Sequence, residues 1–315
     1  MLRSIRELRG TCWVTRRRWL RGWMLGILAA SICGANVRAA DEAKEEPPPE
    51  PKVVTLRTDD GIAIVATYYG SLLGKDAVPV ILLHSSKGNR ADLADLALEL
   101  QRLGHAVIVP DLRGYGDSSP RAGGDRTVEL RPGDYLAMVE QDLETVKRFL
   151  RDRNNDGQLN IDKLCLVGIE MGSVLAVNFA ARDWSWPVLA QGKQGQDVKA
   201  LVLISPEWSF KGLRINEAVA DPAVSRALAV LIVAGKGSSK PMQEAKRLYA
   251  ALEKHHPLPP PGSTNKQMLW LRTPPTTLQG MALVKEKSML VDQMIAKFIE
   301  LRLVDLAVPW SERRN

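Results

Sequence analysis

The fold class this sequence predicts is α/β: a doubly wound, mostly parallel sheet of about eight strands in one domain. Two patterns predict it. Short runs made almost wholly of apolar residues recur along the chain, and segments whose leucines and valines return every three or four residues lie between them. A third observation fixes one junction: the apolar run Leu164-Cys165-Leu166-Val167 enters Gly168-Ile169-Glu170-Met171-Gly172, and the helix-forming run Val174-Leu175-Ala176-Val177 leaves it.

Taken in order, strands are expected at 53–57, 62–69, 78–83, 106–109, 164–167, 200–204, 229–233 and 268–271. The first two read as a hairpin turned at Asp59-Asp60-Gly61. The middle runs show no polar alternation, as expected of parallel strands covered on both faces. Helices are expected over 91–103, with Leu93, Leu96, Leu100 and Leu103 on one face, and over 135–151, with Leu136, Val139, Leu143, Val146 and Leu150 on one face. Further helices are expected over 173–181, 242–252 and 289–301. There is no internal repeat. No insertion is large enough for a lid domain, so any cleft is expected to be shallow and open.

The chain carries a net charge of +7, and residues 1–39 hold all of it: eight arginines stand there against the single acid Glu7. The remaining residues sum to zero, which leaves a nucleic-acid or polybasic membrane surface on the folded part without support. Residues 1–39 themselves read as an export signal: a basic stretch, a modestly apolar segment over 22–35, and Val37-Arg38-Ala39 as a small-residue cleavage site. Thr15-Arg16-Arg17-Arg18-Trp19-Leu20-Arg21 resembles a twin-arginine signal, and an arginine-rich secretory signal is the alternative. Periplasm or cell envelope is the expected location, with membrane attachment only if the leader is uncleaved. Residues 40–52 are acidic and proline-rich and are expected to form an extended tether. The folded domain is then expected over 53–303 and a C-terminal tail over 304–315. Cys12 and Cys33 fall in the leader, so the mature chain keeps only Cys165, a small hydrophobe within a strand.

Three segments carry a family resemblance. Ile81-Leu82-Leu83-His84 ends a strand, Asp111-Leu112-Arg113-Gly114-Tyr115-Gly116-Asp117-Ser118 follows the next, and Gly168-Ile169-Glu170-Met171-Gly172 makes a strand–turn–helix. In this order they resemble the α/β-hydrolase family: its oxyanion turn, its Asp-x-Arg-Gly-x-Gly-x-Ser loop and its Gly-x-Ser-x-Gly nucleophile elbow. The resemblance spans about 53 to 303. It implies a serine at the elbow, an acid after a late strand and a histidine before the last helix.

All three are replaced. Glu170 stands at the nucleophile position. Lys236-Gly237-Ser238-Ser239 follows the late strand with no carboxylate, leaving Ser238 at the acid position, and Gln279 stands where the histidine is expected. A carboxylate at the elbow can form an ester intermediate in principle, but glutamate is one methylene longer than the aspartate some relatives use, and a base for the second step is still needed. The expected ligand pocket comprises His84, Ser85, Ser86, Met171 and Lys236 around Glu170 and Gln279, with the Met171 amide as half of an oxyanion hole. A Glu170 carboxylate beside that amide is expected to occupy it and to favour neutral or cationic ligands. The leading expectation is therefore a pseudoenzyme that binds a small molecule or a protein partner, without a cofactor. The alternative is an active esterase or peptidase-like hydrolase with a relocated triad, which requires a histidine–carboxylate pair beside Glu170, Ser85 or Ser86.

Two further features are weighed. Asp152, Asn154, Asp156, Gln158 and Asn160, with Gly157 between, follow the spacing of a calcium loop, but Lys163 stands where a bidentate carboxylate belongs; a polar turn is the alternative. Trp184, Trp186 and Trp208 are candidates for a cleft rim or for simple packing.

Overall fold

A computed structural model describes residues 46–118, 129–189, 192–257, 259–260, 263 and 266–313. The expected export signal, with its twin-arginine motif, and the first part of the tether lie outside the described residues.

The chain opens on the hairpin β1 (Lys52–Arg57) and β2 (Ala63–Tyr69), then alternates: β3 (Pro79–Leu83), α1 (Ala94–Arg102), β4 (Ala106–Pro110), α2 (Pro132–Ala137), α3 (Leu143–Asn155), β5 (Leu164–Ile169), α4 (Met171–Ser185) and β6 (Val198–Ile204). An insertion follows, holding the small hairpin β7 (Ser209–Phe210) and β8 (Leu213–Arg214) and the short α5 (Asn216–Ala220). The chain then returns through β9 (Ala229–Val233), α6 (Ser239–Glu253), β10 (Leu269–Arg272), α7 (Gly280–Lys285) and α8 (Val291–Ile299). Eight strands form one sheet in the order β1-β2-β4-β3-β5-β6-β9-β10, antiparallel at β1-β2-β4 and parallel beyond. All eight expected strands are present within two residues of their expected ends.

Alternation along each strand divides the core into two layers. In β5, Leu164 and Leu166 pack into one cluster with α3 and α4, while Cys165, Val167 and Ile169 pack into the other with α1 and α8. Burial of Cys165 pushes its thiol well above the ordinary range. Two expected core residues are not core. Leu103 is 50% exposed and Leu136 46% exposed. The first follows the last helical turn of α1, and the second sits on the outer side of α2, where a π-helical stretch over Met138–Asp142 shifts the apolar face. The small hairpin, α5 and α7 were too short to leave a periodic signal.

The hydrolase-like loop after β4 is a structural clasp. Asp111, fully buried, accepts from the Arg90 amide at 2.7 Å and the Asp117 amide at 2.9 Å and pairs with the Arg90 guanidinium. Arg113 reaches Asp142 through Nε at 2.9 Å and Nη2 at 2.7 Å, and Asp60 of the β1–β2 turn through Nη1 at 2.7 Å. The guanidinium holds the Asp60 carboxyl below its ordinary range, whereas burial pushes Asp142 up despite the same partner.

The segment with calcium-loop spacing forms a polar turn. Gly157 turns with φ of 74° after α3. The Asn154 carboxamide accepts from the Ile161 amide at 3.0 Å and donates to the Ser311 carbonyl at 3.0 Å, and Asn160 caps the Asp162 amide and donates to the Val308 carbonyl at 3.2 Å. Asp156 pairs with Arg153 at 3.3 Å, while Asp152 and Gln158 take part through the backbone, the Asp152 carbonyl receiving the Asp156 amide at 3.0 Å and the Gln158 amide reaching the Arg153 carbonyl at 2.9 Å. Among the described residues no group of three His, Cys, Asp or Glu side chains could hold a metal ion. No described helix is long and apolar enough to cross a membrane.

Asp142→Ala leaves the Arg113 guanidinium in a dry site with half its partners, and is expected to lower the unfolding free energy by about 3 kcal/mol or more. Asp60→Ala, at the exposed end of the same pair, is expected to cost no more than about 1 kcal/mol. Urea denaturation of the two variants checks the contrast.

Candidate functional site

The carboxyl ends of β5, β6 and β9 converge on Glu170. Its amide continues the sheet by donating to the Ile204 carbonyl at 2.9 Å, and its backbone then turns with φ of 51° and ψ of −111° before α4 starts. That conformation is costly for any residue with a Cβ, of the order of 1–3 kcal/mol. The surroundings impose it. A Cβ at Gly168 would collide with the Gly172 backbone, and a Cβ at Gly172 with the carbonyls of Leu83 and His84. Ser173 locks the turn by donating its hydroxyl to the Gly168 carbonyl at 2.7 Å and its amide to the Glu170 carbonyl at 2.9 Å. The strand–turn–helix of the elbow is formed, with Glu170 at its turn.

Gln279 sits beside it, immediately before α7, and its carboxamide is bound at both ends. Oε1 accepts from the Ser205 hydroxyl at 2.7 Å and the Gly235 amide at 3.2 Å, while Nε2 donates to the Gly235 carbonyl at 2.8 Å. Ser205 in turn accepts from the Gly280 amide at 2.8 Å. Gly280 has φ of 54°, and a Cβ there would collide with the Glu170 carboxylate. The positions of nucleophile and histidine are thus brought together, as the family order implied, with the carboxylate pressed against the Gly280 backbone.

The other expected members divide. Met171 is buried, its sulfur accepts from the Tyr115 hydroxyl at 3.5 Å, and its amide has no hydrogen-bond partner among the described residues. Glu170 does not occupy that donor, contrary to expectation. Ser85 is buried and Ser86 half-buried on the loop after β3, and neither amide has a hydrogen-bond partner among the described residues. Ser238 stands at the N-cap position of α6 without a side-chain capping bond, and the exposed Lys236 contributes its amide to the Pro274 carbonyl at 2.9 Å.

His84 supports a turn. Its Nε2 accepts from the Leu112 amide at 3.2 Å and its Nδ1 lies 2.8 Å from the Ser85 carbonyl, so the neutral ring carries its proton on Nδ1. Burial lowers its pKa, and taking a second proton would break the Leu112 bond. His105 begins β4 at the opposite end of the sheet, and His255 and His256 follow α6. Among the described residues no histidine pairs with a carboxylate.

Glu207 and Ser205 are the site residues that sequence reasoning passed over. Ser205 is buried with φ of 47°, a strained conformation visible only in three dimensions. Glu207 is half-buried just beyond β6. Burial raises its pKa first and the Glu170 charge second, with Lys240 opposing. Trp208 follows it and stacks under Arg247, 3.9 Å from the ring centroid. Trp184 lies elsewhere, its indole donating at 2.8 Å to the Val198 carbonyl at the start of β6; Trp186 lies two residues beyond, at the far end of α4.

Residues 78–223 match the sequence model of the alpha/beta hydrolase fold, a span that contains β3, the clasp, the elbow and β6. The protein has an α/β-hydrolase fold. Solved structures agree: an esterase of Pyrococcus furiosus superposes with a TM-score of 0.56 at 14% identity, covering 81% of this chain and 92% of that one. A dienelactone hydrolase of Anabaena variabilis gives 0.57 at 16% identity, covering 82% of this chain and 100% of that one. By sequence, this α/β-hydrolase-fold chain is 26% identical over 136 residues to an uncharacterized protein of Mycobacterium tuberculosis, a match spanning 42% of each chain.

Gly280→Ala is expected to destabilise by more than the 1 kcal/mol or so that a positive φ costs alanine, because its methyl meets Glu170. The same change in a Glu170→Ala background should cost about 1 kcal/mol less, and a double-mutant cycle by thermal or urea unfolding reads the difference. Burial holds His105 neutral down to a pKa of about 4. Its unfolded value is near 6.5, so its contribution is whole above that pH and is lost as pH falls toward 4. His105→Leu is expected to abolish that acid-side loss, about 3 kcal/mol between pH 6.5 and 4, so its stability should fall less steeply over that range than wild type's.

Proposed function

We propose that this α/β-hydrolase-fold protein is a pseudoenzyme that binds a small neutral or cationic ligand at the carboxyl ends of the strands, around Glu170, Glu207 and Gln279. One observation carries the reading: both ends of the Gln279 carboxamide are bound, to Ser205 and to Gly235. A histidine at that position in a working triad must hold its ring free for the nucleophile and lean on an acid. Here the position serves the backbone of the neighbouring loop, and no carboxylate stands at 236–239.

Electrostatics supports the ligand class. Burial, and after it the nearby Glu170 charge, raises the Glu207 pKa. A cation relieves that repulsion, whereas an anion adds to it. The unpaired Met171 amide favours the second reading, an active hydrolase with a non-standard triad, since it would meet a developing oxyanion. That reading lacks a base: both nitrogens of His84 are bound to backbone groups. The basic, then apolar leader supports export to the periplasm or cell envelope, and fractionation of cells expressing the full chain tests it.

Purified residues 40–315 are expected to hydrolyse a panel of activated esters no faster than background, with and without Glu170→Ala. Turnover that Glu170→Ala abolishes would overturn the pseudoenzyme reading. In thermal-shift titration, small quaternary ammonium compounds are expected to raise Tm and small carboxylates not. Glu170→Gln should weaken the ammonium response, and a carboxylate response that depends on Glu170 would overturn the ligand class.

A further inference from the structure

At the other end of the sheet, below the starts of β5 and β6, six charged side chains meet. Lys147 reaches Asp183 at 2.5 Å and Asp197 at 3.3 Å, and Lys193 reaches Asp162 at 2.5 Å and Asp197 at 3.1 Å. Arg313, from the C-terminal tail, donates to Asp162 at 2.7 Å and also to Asp197. Asp183 in addition receives the amides of Asp197 at 2.7 Å and Val198 at 3.0 Å. Among these ion-paired groups the body of the domain supplies three carboxylates and two ammonium groups, and the tail supplies the guanidinium. Without Arg313, Asp162 and Asp197 each lose an ion-pair partner in a largely buried place.

The tail is held as a peptide ligand is held. Asn160 donates to the Val308 carbonyl at 3.2 Å and Asn154 to the Ser311 carbonyl at 3.0 Å. Asn155 binds Arg313 at both ends, donating to its carbonyl at 2.8 Å and accepting from its amide at 2.8 Å. These contacts read main chain; the guanidinium is the charged group the slot selects. Val308 and Trp310 are only half-buried, and the Lys75 ammonium lies 3.7 Å from the centre of the Trp310 ring. The fit is also incomplete: Trp310 Nε1 and Arg313 Nε are buried without partners among the described residues.

We propose that this slot is a recognition site for an extended peptide segment bearing an arginine, filled in cis by residues 308–313 and able to take such a segment in trans. A guanidinium suits it because one planar donor group can serve two carboxylates at once, which a lysine ammonium does less well. Release of the tail uncovers apolar side chains that are only half-buried, so it opens locally rather than with the whole domain. In the intact chain the tethered tail competes at an effective concentration of the order of millimolar.

The test uses the full chain, and no esterase readout, so it is independent of the Glu170 site. A labelled synthetic peptide spanning Val308 to Arg313 is titrated by fluorescence anisotropy into wild type and Arg313→Ala. The variant is expected to bind about tenfold tighter or better, because its own tail no longer competes. A peptide carrying Arg313→Ala should bind the variant about tenfold more weakly. Equal binding to both proteins, or equal binding of both peptides, would sink the proposal. Should Arg313→Ala fail to fold, hydrogen exchange on wild type decides. Excess peptide at several millimolar should speed exchange at the tail amides, and unchanged exchange overturns exchangeability.

Discussion

Everything around Glu170 hangs on one close approach of backbones. Gly172, in the first turn of α4, lies against the carbonyls of Leu83 and His84 at the end of β3, with no room for a single added carbon. This contact seats α4 on the sheet, brings β5 beside β3 and leaves Glu170 no conformation but a positive φ. It also aims the Met171 amide into the space above the strands. Strain at a turn persists only where the surrounding packing over-determines it, and here the two glycines and Ser173 do so.

That geometry holds Glu170 at the turn between β5 and α4. Glu170 turns its carboxylate against the Gly280 backbone, and Gln279 turns its carboxamide to Gly235. The two substitutions fit one another. A bidentate carboxamide fixes the loop before α7, and the positive φ of Gly280 leaves space for a side chain longer than serine. Such mutual accommodation is what a packed site looks like after its residues have settled into new contacts. The esterase and dienelactone hydrolase share the scaffold at low identity, and a scaffold does not carry a reaction with it.

Ion pairs play different parts at the two ends of the molecule. Toward the carboxyl ends of the strands, Arg113 and Arg90 tie the loop after β4 to the first hairpin and to the turn before α1. At the opposite end, charges that would be costly to bury alone are gathered into a network closed by a residue from the tail. Removing one member of such a network leaves a buried charge without its counter-charge, which is why a partner segment can matter there far more than its apolar area suggests.

Composition and periodicity by themselves determined the strands, the long helices and the order in which they wind, because these depend on which residues are apolar and how they are spaced. The elbow was legible too, since glycines at Gly168 and Gly172 record a steric demand that no other residue meets. Replacement of the triad could be read from Glu170, Ser238 and Gln279 alone. What Gln279 does instead could not, because its partners Ser205 and Gly235 lie just past the ends of β6 and β9, far off in sequence. The same limit holds at the turn over 152–160: its spacing fitted a calcium loop as well as a polar turn, and only folding brought the tail residues Val308, Ser311 and Arg313 against its carboxamides. Glu207 joined the site for that reason as well. Local pattern encodes which face of an element is buried; which polar groups then meet is decided by long-range packing, and a side chain's hydrogen bonds are chosen from whatever that packing brings within about 3 Å.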